Sequence, residues 1–161
     1  MERKGITQVG ILVEDIQKAV EHYWSVLGIG PWSIYSFTQD TVRDFKVYGR
    51  SLTVPFKFVI AKSMFGNVDV ELIQHIEGPT IFEKFIKEKG FGLHHIKEQM
   101  DDIQLERTLK EYKEKGIDVI QRGQFGENIH NFLNTEPLLG IVYEVGNFGK
   151  VPKPDRRYPP D

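Results

Sequence analysis

Phe91-Gly92-Leu93-His94-His95-Ile96, running on through Met100-Asp101-Asp102-Ile103, decides how the rest of the chain is read. The stretch has the outline of a strand carrying paired histidines, then an acidic helix cap, then a helix. The same outline stands near the start, where Ile6-Thr7-Gln8-Val9-Gly10-Ile11 runs into Val13-Glu14-Asp15-Ile16-Gln17. Asp15-Ile16-Gln17 and Asp102-Ile103-Gln104 lie 87 positions apart, and the same offset carries Gln8 onto His95. A three-residue match alone is weak. Recurring in one strand-to-helix context, it marks an internal duplication.

Working outward, Thr7 to Val13 alternates as a strand does, with Val9, Ile11 and Val13 on one face. Asp15 caps a helix whose Ile16, Ala19, Val20, Tyr23, Trp24 and Leu27 form one apolar stripe, and Gly28 to Pro31 stops it. Strands are predicted at Trp32–Phe37, at Phe45–Tyr48 continuing toward Leu52, at Phe56–Ala61 and at Asn67–Ile73. Gly78-Pro79 opens a connector helix, Thr80–Lys89, with Ile81, Phe82, Phe85 and Ile86 as its apolar side. The pattern then repeats as a strand from Leu93, a helix from Asp102 to Lys115 and strands near Asp118–Gln121, Asn128–Leu133 and Ile141–Val145. The chain therefore reads as an α+β protein built from two tandem βαβββ modules in one domain over residues 1–150. Module one spans about 5–76, the connector 78–90 and module two 91–147, with a proline-rich arm over 148–161.

With 161 residues, 40% apolar and 27% charged, the chain can bury one sizeable core. A net charge of −2 gives no reason to expect nucleic acid or an anionic membrane as partner. The absence of cysteine removes disulfides, thiolate ligands and a cysteine nucleophile, and suits a reducing cytoplasm. No apolar run follows Met1-Glu2-Arg3-Lys4, so neither a signal peptide nor a membrane span is expected.

Each module offers one polar residue in its first strand and one in its last: Gln8 and Glu71, then His95 and Glu144. Both carboxylates are flanked by β-branched and aromatic residues, where burial is costly unless compensated. A divalent metal would compensate. Two carboxylates, an amide oxygen and an imidazole suit Zn²⁺, Ni²⁺, Co²⁺ or Mn²⁺ and leave room in an octahedral shell for water or substrate oxygens. Each residue alone also fits a structural role: a bonded strand amide, a satisfied histidine, carboxylates on solvated sheet faces. Alternation puts Lys97 on the face of His95, where it either neutralises an anionic substrate group or points to water from the rim.

At these residues the chain resembles the vicinal oxygen chelate superfamily, also called the glyoxalase/bleomycin-resistance fold, from Ile6 to Val145 and above all at Gly92-Leu93-His94-His95. It is most similar to the methylmalonyl-CoA epimerase-like branch. The resemblance implies that the modules pair into a cupped, incomplete barrel around one divalent metal. It places Gln8, Glu71, His95 and Glu144 at the ligand positions, with His95 rather than His94 ligating. It implies proton abstraction beside a carbonyl with a metal-stabilised enediolate, Glu71 and Glu144 exchanging the proton, a small carbonyl substrate such as an acyl-CoA thioester, and a homodimer. The set of glutamine, glutamate, histidine and glutamate is that of glyoxalase I, a lactoylglutathione lyase. Yet Leu12 and Phe91 stand where that enzyme carries its glutathione-gripping arginines. Non-catalytic binding in an aromatic pocket of Trp32, Tyr35, Phe37, Phe56 and Phe58 is the reading from another class, and Gln8 in place of histidine argues against an Fe(II) dioxygenase.

Overall fold

The computed structural model describes residues 5–160. In module one, β1 (Gln8–Leu12) leads into α1 (Ile16–Leu27), β2 (Trp32–Thr38), β3 (Val42–Val47), β4 (Arg50–Ser51), β5 (Lys57–Phe65) and β6 (Val68–Glu77). After α2 (Ile81–Lys89), β7 (Gly92–Met100) leads into α3 (Asp102–Glu114), β8 (Val119–Phe125), β9 (Asn128–Leu133), the short α4 (Glu136–Leu139) and β10 (Val142–Asn147). Arg156–Tyr158 adds β11. All eleven strands join one sheet in the order β11-β2-β5-β6-β1-β7-β10-β9-β8-β3-β4. The sheet curls into an open half-barrel.

The modules meet where β1 and β7 pair antiparallel, and each first strand pairs parallel with its own last strand, β6 or β10. The four polar residues read from sequence therefore lie on four neighbouring strands. Helix α1 packs Ile16, Ala19 and Val20 on the sheet of module one, and α3 packs Leu105 and Tyr112 on that of module two. The Asp15 side chain accepts from the Lys18 N–H to cap α1, and Gly28 at φ 66° closes it. In module two the cap slips by one residue: Asp101, not the repeat-equivalent Asp102, accepts from the Gln104 N–H.

Two further findings refine the sequence expectation. The segment around Phe45 does not extend the sheet of module one, because β3 crosses over and pairs with β8 of module two. Its Phe45 stacks on Phe56 at 4.0 Å between ring centres, so the crossing buries an aromatic pair that local alternation does not reveal. The proline-rich arm is tied down as a strap. The Glu127 N–H donates to the Lys150 carbonyl, the Ser36 N–H to the Asp155 carboxylate, and β11 pairs with β2. The strap thus ties the end of module two to the outer strand of module one.

The interior of the cup is filled by Phe37, Phe45, Phe56, Phe58, Phe82, Phe125 and Phe132. Rings of Phe37 and Phe125 stack at 4.1 Å, and Phe82 stands edge-on to Phe58 and Phe132. Burial of each such side chain is worth roughly 1.5–3 kcal/mol, so these residues hold the half-barrel shut around its polar floor. Among the described residues no helix is long and apolar enough to cross a membrane.

Candidate functional site

Strand register brings the polar residues together. Glu71 on β6 lies beside Gly10, which lies opposite His95, which lies beside Val142. In the adjacent row Gln8 lies opposite Lys97, and Lys97 lies beside Glu144. The pleat sends both rows to the interior face.

A β-bulge makes the paired histidines work. Pairing of β1 with β7 jumps from Gly10–His95 to Ile11–Leu93, skipping His94. The bulge lets consecutive side chains both enter the interior, which strict alternation forbids. His94 packs edge-on to Phe82 and Phe85, and its Nδ1 lies 2.9 Å from Nδ1 of His95. One ring nitrogen must donate to the other. With Nδ1 of His95 engaged in this way, its Nε2 is turned to the carboxylates. Burial, and then the neighbouring His95, hold His94 well below the ordinary histidine range, so it is neutral. His94 is thus the orienting partner of His95, a role sequence reasoning missed.

The space for His95 comes from a glycine. A Cβ at Gly10 would lie 1.9 Å from Cε1 of His95, so the ring occupies the place of the missing side chain. Gly123 makes room for His130 in the same manner, and Gly146 for Lys97.

Around His95, Nε2 lies 3.1 Å from Oε2 of Glu144 and 3.6 Å from Oε1 of Glu71. The Gln8 amide donates to Oε2 of Glu71 at 2.5 Å. Gln8, Glu71, His95 and Glu144 are all buried, with His95 fully so. The solvated-face alternative for the two carboxylates is thereby set aside. Lys97 is corrected as well. It is 3% exposed rather than a rim lysine, and its Nζ pairs with Oε1 of Glu144 at 2.8 Å. Lys62, not singled out from sequence, pairs with Asp69 at 2.8 Å, and its charge reaches Glu71.

The two glutamates are tuned apart. Burial pushes the Glu71 carboxyl up, and His95 and Lys62 only partly offset it. Burial works on Glu144 in the same sense, but Lys97 and His95 outweigh it and hold its carboxyl far below the ordinary range. His130, on the wall beside them, is lowered to about 4 by burial. No sequence signal marked His130 or Lys62 until the hairpin registers were known.

Above this floor stands a cavity walled by Tyr35, Phe37, Phe58, Phe125 and Phe132, with Val151 of the strap at its edge. Among the described residues no three histidine, aspartate or glutamate side chains stand, as they are, where they could hold a metal ion. What the site holds is a donor set with atoms left over. Nε2 of His95 and Oε2 of Glu144 are buried and lack any aligned hydrogen bond. Two such atoms facing one another are costly unless a cation or proton lies between them. Neighbouring donors around one ion at about 2.0–2.2 Å stand roughly 3 Å apart, close to the spacing found here. Turning the Gln8 amide over directs its oxygen inward, an orientation fixed by hydrogen-bond context rather than shape. In kind, the donors of Gln8, Glu71, His95 and Glu144 suit a divalent metal once the side chains close on it.

The same fold occurs in solved structures. A hypothetical protein from Bacillus halodurans superposes with a TM-score of 0.68 at 22% identity, covering 92% of this chain and 97% of that one. Methylmalonyl-CoA epimerase from Mycobacterium tuberculosis matches at 0.63 and 18%, covering 90% of this chain and 88% of that one. A Streptomyces coelicolor methylmalonyl-CoA epimerase variant, in complex with 2-nitronate-propionyl-CoA, matches at 0.63 and 19%, covering 95% of this chain and all of that one. No curated protein matches the sequence. Residues 7–133, most of both modules, match the family described as the Glyoxalase/Bleomycin resistance protein/Dioxygenase superfamily, and the chain belongs to it.

Proposed function

We propose that the protein is a metal-dependent enzyme that moves a proton on the carbon beside a carbonyl, in the manner of an epimerase, on a small acyl thioester. The observation that carries this reading is the convergence of Glu71 and Glu144, buried carboxylates from opposite modules, on the unpaired nitrogen of His95. The epimerase of similar fold is complexed with a CoA compound, which supports a CoA thioester as the substrate class.

Gln8, Glu71, His95 and Glu144 would hold the ion, of which Zn²⁺, Ni²⁺, Co²⁺ and Mn²⁺ are candidates. When bound, a divalent ion supplies Lewis-acid stabilisation of the negative charge that develops on a carbonyl oxygen as the adjacent C–H is ionised. The remaining chemistry belongs to the chain. Glu71 and Glu144, reaching the site from opposite modules, would be the pair that takes the proton on one face and returns it on the other. A carboxylate beside a dication is a poor base, so the one that acts would loosen from the ion first. His94 fixes the His95 ring, and the phenylalanine wall keeps water from the reacting carbon. The protein would act as a homodimer, the assembly that the family resemblance implies, and in the cytoplasm, which the lack of cysteine suits.

A glutathione substrate is disfavoured. Leu12 is packed into the core at 1% exposure, and Phe91 is an exposed apolar side chain, so neither position offers a cationic grip. The aromatic wall favours non-catalytic binding as the second reading. Solvent exchange separates the two. Methylmalonyl-CoA and related 2-acyl thioesters should incorporate deuterium at the α-carbon in D₂O with metal-loaded protein. No metal-dependent exchange across the panel would leave the binding reading in its place.

A further inference from the structure

The duplication breaks at one interior position. Counting 87 residues on from Gly10, the second module carries Lys97, a cation where the first module has no side chain at all. Lys97 is not accommodated by chance. A Cβ at Gly146 would meet the Ile129 carbonyl oxygen first, at 2.6 Å, and then Cε of Lys97 at 2.9 Å and Nζ at 3.3 Å, so the bare backbone of β10 leaves room both for β9 and for the lysine that reaches Glu144. The side chain is 4% exposed, and Nζ is 2.8 Å from Oε1 of Glu144. The other oxygen of the same carboxylate, Oε2, faces Nε2 of His95 and is unpaired. One carboxylate is therefore divided between a built-in cation and the open donor cluster.

We propose that Lys97 is a resident counter-cation that shares Glu144 with the metal and so sets how weakly or tightly the site holds it. The inference rests on the metal reading above. Without metal, the lysine supplies the positive charge that two buried carboxylates need, so the empty cluster stays folded. An ion held by His95 and Glu144 would find Oε1 of that carboxylate already engaged by the Lys97 ammonium, a short distance from its own charge. Like charges at that distance in a buried site repel strongly. The cost falls on affinity. Lys62 also acts on these carboxylates, but its Nζ is paired with Asp69 and its side chain is 28% exposed, so Lys97 is the cation in contact with Glu144.

The test uses the full chain stripped with chelator and titrated with Zn²⁺, Ni²⁺ and Mn²⁺ separately, in competition with a chromophoric chelator. Lys97→Gln keeps a donor for Glu144 and removes the charge, while Lys97→Met removes both. Circular dichroism and thermal melting establish which variants fold, and the folded ones are compared. Lys97→Gln should bind at least tenfold more tightly than the wild type, and its melting temperature should rise more on adding metal. Binding by Lys97→Gln alone supports the proposal in its strongest form. Equal or weaker affinity in a folded variant overturns it and leaves the metal reading standing. Absence of binding by the wild type and every folded variant overturns both.

Discussion

Gly10 is the residue whose replacement tests the site's construction most directly. Its backbone is not in the left-handed region, so glycine is present for space rather than for conformation. In Gly10→Ala the new methyl would lie 1.9 Å from Cε1 and 2.3 Å from both ring nitrogens of His95. The ring has nowhere to go. It is fully buried, bonded to His94 and set edge-on to Phe132 at 4.9 Å. Overpacking of a tight interior costs about 1–3 kcal/mol, and the overlap here places the variant at the upper end. At about 2–4 °C per kcal/mol for a chain of this size, the melting temperature should fall by roughly 6–12 °C. A double-mutant cycle with His95→Ala isolates the cause. Without the ring, alanine at position 10 meets open space and gains about 0.5–1 kcal/mol over glycine in a strand. Urea unfolding of the four proteins should therefore give a coupling energy of roughly 3–4 kcal/mol. If Gly10→Ala costs the same in both backgrounds, the claim that His95 occupies the place of that missing side chain is wrong.

Acid should weaken the fold through His130. Its folded value of about 4 lies below the ordinary 6.5, so between those values the unfolded chain binds more protons than the folded one. The contribution is complete above pH 6.5 and is lost as pH falls toward 4, on the order of 3 kcal/mol. Urea unfolding of metal-free protein across that window should show a shallower slope for His130→Gln than for the wild type, and parallel slopes would refute the assignment. His95→Ala and Glu144→Gln should each lower metal occupancy by tenfold or more while circular dichroism is retained, as measured by elemental analysis of protein purified without chelator. Glu71→Gln should suppress α-proton exchange more strongly than it lowers metal occupancy, and a variant that keeps full exchange would remove Glu71 as a proton carrier.

The sequence by itself determined most of the elements, though not α4 or β11, and singled out the four residues that meet. Strand alternation and the apolar stripes of α1 and α2 are local periodicities, and Asp15 and Gly28 are local caps, so they are legible without neighbours. The 87-residue offset tied Gln8 to His95 before any strand was paired. What only the tertiary structure decided depends on pairing between distant segments. The crossing of β3 to β8 goes with burial of Phe45 against aromatic residues of other strands inside the cup, which the alternation within Val42–Val47 does not reveal. The bulge that turns both histidines inward is a feature of two strands at once, and one strand's alternation assigns them to opposite faces. Lys97 reads as a rim residue until β10 lies beside it with a glycine at the needed place. The reason is common to all three. Periodicity reports which side of its own strand a side chain leaves from, whereas burial, charge partners and the room made by absent side chains belong to the register between strands.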